Sequence, residues 1–170
     1  MGDRCYLQAE FHPDDYRNLL AEIPQCNYID DDYMPAFLRP FEKPPEASAW
    51  MLNEEKGHIY VEWSDVNYGA YDDFERLARV GIRFSVWHGA GVDYSPGAYV
   101  SCGDGKFHVA KTSWDHDAPV VELDDNALTN KIQLGHARRF IKAREKLRGQ
   151  FKAKAQEYAS EQQGSPPLDQ

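Results

Sequence analysis

Residues 58–87, HIYVEWSDVNYGAYDDFERLARVGIRFSVW, decide the fold that this sequence predicts. Residues 58–63 place Ile, Tyr, Val and Trp close together, which is typical of a strand. Over residues 68–80 the apolar side chains recur at helical spacing instead, and Gly81 provides a C-cap for that helix. Residues 82–87 then alternate apolar and polar side chains, which predicts another strand. The stretch therefore predicts a strand, a helix and a strand in that order.

The segments before this stretch complete a larger pattern. Residues 50–52 and 58–63 flank a turn that contains Gly57, so we expect a β-hairpin there. Residues 4–11 alternate and carry aromatic side chains, and residues 14–23 follow with helical spacing. The resulting order is βαββαβ, the ferredoxin-like arrangement of an antiparallel sheet with helices on one face. The sequence therefore predicts an α+β fold with a ferredoxin-like core.

The segments after this stretch extend the core. Residues 98–102 and 106–110 flank Gly103-Asp104-Gly105 and predict an added β-hairpin, and residues 119–123 predict a short final strand. Asp124, Asp125 and Asn126 offer N-cap side chains for a long C-terminal helix from 127 to 160. We therefore expect three regions: an acidic α+β domain at 1–125, a basic helix at 126–161 packed on it or extending from it, and a disordered tail at 162–170.

Composition narrows the class of protein. The chain has 170 residues, of which 42% are hydrophobic and 28% are charged, as in a folded globular domain. No apolar run approaches the roughly 20 residues that cross a bilayer, and no signal peptide is recognisable at the N-terminus. The three cysteines are too scattered for a disulfide framework or a zinc site. We expect a cytoplasmic protein without a metal or a cofactor.

Charge divides the chain into two parts. Residues 1–125 contain 10 Lys and Arg against 24 Asp and Glu, whereas residues 126–170 contain 9 against 4. An exposed acidic surface with interspersed tyrosines suits a protein partner with a basic surface, and it can imitate a phosphate backbone. A solvated surface that serves only solubility is the alternative. The residues expected to bind are Asp30, Asp31, Asp32, Tyr33, Asp72, Asp73 and Tyr94.

A glycine-rich segment carries the enzymatic alternative. In Trp87-His88-Gly89-Ala90-Gly91-Val92-Asp93-Tyr94, His88 can act as acid or base and Asp93 can orient it. The same residues can simply fix a tight connection between two strands. The segment lacks the third glycine of a dinucleotide-binding fingerprint, and no motif for acyl transfer, zinc proteolysis or P-loop phosphoryl transfer occurs in the chain. We therefore favour a non-enzymatic protein and keep a small enzyme or ligand-binding module as the alternative.

The C-terminal helix supports two further hypotheses. Its apolar stripe suits docking on its own sheet or pairing with a second copy, so a homodimer through this helix is one expectation. That stripe consists of Phe140, Leu147, Phe151 and Tyr158. Nucleic-acid binding is the other hypothesis, and we do not favour it, because the acidic body repels phosphate groups. It would use Arg138, Arg139, Lys142, Lys146 and Lys152.

Two segments resemble a known group of proteins. Asp-Arg-Cys-Tyr at residues 3–6 and Trp-His-Gly-Ala-Gly-Val-Asp-Tyr at residues 87–94 resemble segments of uncharacterised small acidic proteins of bacteriophages and related mobile elements. The resemblance covers about a tenth of the chain and brings no catalytic residue with it. It implies an accessory protein of a phage or its host that inhibits a host defence or nucleic-acid-binding complex.

Overall fold

The computed structural model of the chain describes residues 4–15, 50–91, 94–114 and 118–164. The helices and strands in these ranges are β1 (Arg4–Phe11), β2 (Trp50–Asn53), β3 (His58–Asn67), α1 (Tyr71–Arg79), β4 (Arg83–His88), β5 (Gly97–Cys102), β6 (His108–Lys111) and α2 (Ala127–Gly164). Short 3-10 turns at Pro13–Asp15 and Tyr68–Ala70 follow β1 and precede α1. No helix in these ranges has both the length and the apolar character needed to span a membrane.

The strands form one antiparallel sheet in the order β2-β3-β1-β4-β5-β6. The mixed α+β class predicted from the sequence is therefore confirmed. The ferredoxin-like topology is not confirmed. The six-stranded order is not the ferredoxin-like one. Of the predicted first helix at 14–23, the structure describes the first two positions, because residues 16–49 lie outside the described ranges.

The two faces of the sheet carry separate cores. Strand side chains alternate between faces, and β5 is buried at all of its positions because both of its faces are covered. On one face α1 packs over β1, β3 and β4, where the ring of Phe74 lies 5.1 Å from that of Phe84. On the other face α2 packs over β5 and β6, and Phe140 and Leu147 are fully buried there. Each fully buried side chain of this size contributes about 1.5–3 kcal/mol.

Most predicted elements after residue 50 are confirmed. Both hairpins form, and Gly81 follows α1 with its N–H donated to the carbonyl of Ala78. Asn126 caps α2, since its Oδ1 accepts hydrogen bonds from the N–H groups of Leu128 and Thr129 at 3.0 and 3.1 Å.

Two predictions in the same part of the chain are wrong. Residues 119–123 do not form a strand, because the segment meets the edge of the sheet through an isolated bridge between Thr112 and Pro119 and a hydrogen bond from the Val120 N–H to the Lys111 carbonyl, without a continuous ladder. The helix also continues to Gly164, so a disordered tail does not start at 162. Ala, Gln and Glu make up most of residues 153–163. These residue types favour a helix, which explains why the helix extends beyond its predicted end at 160.

The second half of α2 is seated on the turn between β2 and β3. Gly57 in this turn has a φ of +68°, and a Cβ atom placed on it would lie 2.0 Å from the carbonyl oxygen of Phe151. The Phe151 ring packs between two buried histidines, with ring centroids 6.1 Å from His12 and 5.4 Å from His58. Lys154, one turn of helix beyond this ring, forms an ion pair with Asp14 at 2.9 Å. These contacts fix the direction in which α2 leaves the sheet.

Candidate functional site

Helix α2 covers only part of its face of the sheet. Its buried side chains contact β5 and β6, and its distal half rests on the turn at Gly57. Between these contacts two cross-strand rows of side chains share the same face over β3, β1 and β4. We call these six residues the open sheet face; they are Glu62, Gln8 and Trp87 in one row, and Tyr60, Glu10 and Ser85 in the other.

Hydrogen bonds link the exposed end of the open sheet face. The Gln8 amide donates to Glu62 Oε1 at 3.2 Å and to the hydroxyl of Tyr6 at 3.1 Å, and the Tyr60 hydroxyl donates to the same Glu62 oxygen. Hydrogen bonds from Tyr6 and Tyr60 lower the pKa of Glu62. Burial, followed by the hydrogen bond to Glu62, raises the pKa of Tyr60. At neutral pH the cluster therefore holds one carboxylate and two protonated phenols.

A cleft of about 580 Å³ separates the open sheet face from the distal half of α2. Its floor includes Tyr60 and Trp87, and its helical wall includes Arg148 and Lys152, which are one turn apart. Trp87 Nε1 is buried and has no hydrogen-bond partner within the part of the chain that the structure describes. This volume is in the range typical of small-molecule sites, which is about 300–1,000 Å³. The cleft therefore combines an aromatic floor with two cations on its helical wall, and Glu10, Glu55 and Lys56 complete its charged lining.

A second surface lies at the beginning of α2 and in the segment before it. Most of the large apolar side chains that the described residues expose fall within residues 114–141. Leu123 is 68% exposed, Leu128 67% and Ile132 53%, although side chains of this size are usually buried. We call residues 114–141 the apolar segment; its exposed members are Trp114, Val120, Leu123, Leu128, Ile132, Leu134 and Ile141.

The structure separates the acidic residues that the sequence singled out. Asp72 is exposed in the first turn of α1, but the predicted exposure of Asp73 is wrong. Asp73 is only 6% exposed because it lies beside Phe74 on the side of α1 that faces the sheet. Tyr94 is half-buried, and its ring lies 5.7 Å from that of His88. The other predicted binding residues lie outside the described residues; they are Asp30, Asp31, Asp32 and Tyr33.

The candidate acid or base, His88, lies in the interior. It is 5% exposed, its Nδ1 lies 2.9 Å from the carbonyl oxygen of Gly89, and its ring packs 5.1 Å from that of Tyr99. Burial lowers the pKa of His88, so its imidazole is neutral at neutral pH. Asp93 lies outside the described residues. Within the described ranges no group of three or more His, Cys, Asp or Glu side chains is arranged to hold a metal ion.

The sequence analysis overlooked the cleft, although the pattern contained a signal for it. Gln8 and Glu10 alternate along β1, as Tyr60 and Glu62 do along β3, so each pair had to share one face of the sheet. The sequence did not show which strands are neighbours in the sheet, because β1 pairs with two strands that are distant in sequence.

Comparisons of this chain with protein-family models, curated proteins and solved structures found no match.

Proposed function

We propose that this chain is a non-enzymatic binding protein that docks a protein partner with a basic surface on the apolar segment, residues 114–141. One observation carries the proposal: exposed large apolar side chains are concentrated in this segment. Leu128 and Ile132 are one turn apart on the same side of α2, and Leu123 in the preceding segment is exposed as well. Clustered exposed apolar side chains with a polar rim are typical of protein–protein interfaces.

Charge at the start of the apolar segment supports a basic partner, whereas exposed Lys131, Arg138 and Arg139 lie farther along α2. Glu122, Asp124 and Asp125 are all exposed and lie on either side of Leu123 in the chain. Glu122 has an ion pair with Lys111 at 3.4 Å, but both side chains are more than half exposed, so the pair contributes little. Rim carboxylates attract a partner of opposite charge and raise its rate of association. An apolar patch with basic residues around it is therefore the complementary surface.

The enzymatic alternative has less support. His88, the proposed acid or base, has a buried ring that packs against Tyr99 and Gly97.

Inhibition of a host defence or nucleic-acid-binding complex is the biological role that we propose for the docking surface. That role follows from the resemblance of two segments to bacteriophage proteins.

A labelled amphipathic peptide of lysine and leucine provides a probe with the proposed chemistry. We expect the double variant Leu128→Ser, Ile132→Ser to weaken its binding about tenfold or more, because apolar anchors each contribute more than about 1 kcal/mol. The matched control is Leu52→Ser, Val80→Ser, which removes two side chains that are 37% and 48% exposed outside the segment. Fluorescence anisotropy measures both, and thermal melting checks that each variant is folded.

Equal weakening by both double variants would contradict the proposal, since it would show non-specific adsorption of the peptide. Sedimentation velocity on the wild type tests whether a second copy of the chain occupies this surface instead. If the wild type is a dimer that does not bind the peptide, and Leu128→Ser, Ile132→Ser dissociates that dimer, the segment joins two copies of the chain. That result would overturn the proposal of a basic partner.

A further inference from the structure

We propose that the cleft between α2 and the open sheet face binds a nucleotide, with the base on Trp87 and Tyr60 and the phosphate on Arg148 and Lys152. The nucleotide is either a free nucleoside phosphate or one unit of a single strand, since both present the same base and phosphate. This site is separate from the apolar segment, so the inference goes beyond the proposed function.

The floor of the cleft suits the flat face of a base. Trp87 and Tyr60 stand on adjacent rows of the open sheet face, on either side of β1. The Tyr6 ring packs edge-on against Trp87 at a centroid distance of 6.4 Å, which holds the indole in place. Stacking of a base on an aromatic side chain contributes about 1–3 kcal/mol and tolerates any base.

The helical wall suits the phosphate. Arg148 and Lys152 are exposed and line the cleft four residues apart, about 6 Å along the helix axis. Arg144, one turn before Arg148, lies outside the cleft lining with its guanidinium 5.4 Å from the centre of the Phe140 ring. A row of cations beside an aromatic floor is the usual construction of a single-strand binding groove. A duplex does not fit this arrangement, because its bases are stacked on each other.

The polar side chains of the floor predict which bases bind. Gln8 and Glu10 line the cleft between the two aromatic residues. A carboxylate such as that of Glu10 accepts a hydrogen bond from the exocyclic amino group of cytosine, whereas the Gln8 amide is already donated to Glu62 and Tyr6. Uracil presents a carbonyl at the position of the cytosine amino group, so Glu10 would repel it. The chain's net charge of −9 opposes binding at long range, so we expect micromolar affinity at low salt.

Fluorescence anisotropy with labelled oligocytidylate and oligouridylate tests the inference on the full chain. We expect oligocytidylate to bind more tightly than oligouridylate, and a DNA duplex of the same length not to bind. Arg148→Ala, Lys152→Ala should weaken binding about tenfold or more and lower the slope of log affinity against log salt by about 0.7, the contribution of one phosphate contact. The matched control Arg138→Ala, Lys142→Ala removes the same charge from exposed positions of α2 outside the cleft lining and should weaken binding less than about threefold.

Competition with cytidine monophosphate separates the two sources of the nucleotide. Displacement of the oligonucleotide shows that the cleft takes a free nucleoside phosphate, and tight oligonucleotide binding without displacement shows that it takes a unit of a strand. Equal weakening by the two double variants would overturn the inference, because binding would then depend on the general charge of the helix. Absence of binding by the folded wild type at low salt would overturn it as well.

Discussion

Replacement of Gly57 by alanine tests how α2 is held over the sheet, and therefore whether the cleft has a fixed wall. A Cβ atom at this position would lie 2.0 Å from the Phe151 oxygen and 2.6 Å from the Ala155 nitrogen, both in the backbone of α2. Rotation of a side chain cannot relieve such a contact, so the helix must move away from the turn. Phe151, which is 5% exposed between His12 and His58, then loses its packing.

The magnitude has two parts. An alanine at a φ of +68° costs about 1–2 kcal/mol because its Cβ crowds the backbone. Partial loss of the buried Phe151 ring adds about 2–4 kcal/mol, somewhat less than complete truncation of a buried phenylalanine. We therefore expect Gly57→Ala to lower the free energy of unfolding by about 3–6 kcal/mol, a large fraction of the stability of an ordinary domain.

Urea denaturation followed by circular dichroism measures this loss, and Gly81→Ala is the matched control. Gly81 also has a positive φ, +86°, but the nearest atom to its Cβ would be the Gly103 oxygen at 3.8 Å, an ordinary contact. This control should lose only the conformational part, about 1–2 kcal/mol. If the two variants lost the same stability, α2 would not rest on the turn, and the reasoning would be refuted.

Three further expectations follow from single residues. Burial and the charge of Lys56 lower the pKa of His58 to about 4, although the Glu10 carboxylate lies 3.8 Å from its Nδ1. As the pH falls, the unfolded state therefore binds this proton before the folded state does. The free energy of unfolding should fall as the pH drops from about 6.5 towards 4, by at most about 1.4 kcal/mol per pH unit for this residue. A urea midpoint of the wild type that stays constant over that range would contradict this expectation. His88→Ala should lower the free energy of unfolding by about 1–3 kcal/mol, because it removes a buried ring that contacts Gly89 and Tyr99, and unchanged thermal stability would instead favour a catalytic role. Gly149→Ala should raise stability by about 1 kcal/mol in the same urea assay, since a Cβ there meets no atom within 4 Å, and a loss of stability would show a hidden contact.

Local patterns predicted the individual elements well. The glycine turn before β6, the alternation along β4 and the Asn126 cap of α2 depend on neighbours in sequence, and each formed as expected. The prediction for residues 119–123 failed because apolar composition does not show whether an edge strand has a continuous partner. The segment meets the edge of the sheet through the bridge at Pro119 and the hydrogen bond from the Val120 N–H to the Lys111 carbonyl.

The candidate sites were harder to predict because they depend on long-range pairing. β1 lies between β3 and β4, and this brings Gln8 between Glu62 and Trp87, which are far apart in the sequence. No local pattern specifies that juxtaposition. The exposure of Leu128 and Ile132 was equally hidden, because their spacing on α2 is that of a buried stripe. The sheet begins to cover α2 at Phe140, where the predicted apolar stripe also starts.

Hydrogen–deuterium exchange on the full chain, with and without the lysine–leucine peptide, tests most directly whether the apolar segment is the docking surface. The account predicts slower amide exchange in residues 118–135 when the peptide is bound, because the exposed side chains of Leu123, Leu128 and Ile132 would be covered. Exchange in the turn around Gly57 and in α1 should not change. Protection confined to those regions, with residues 118–135 exchanging at their free rates, would contradict the account.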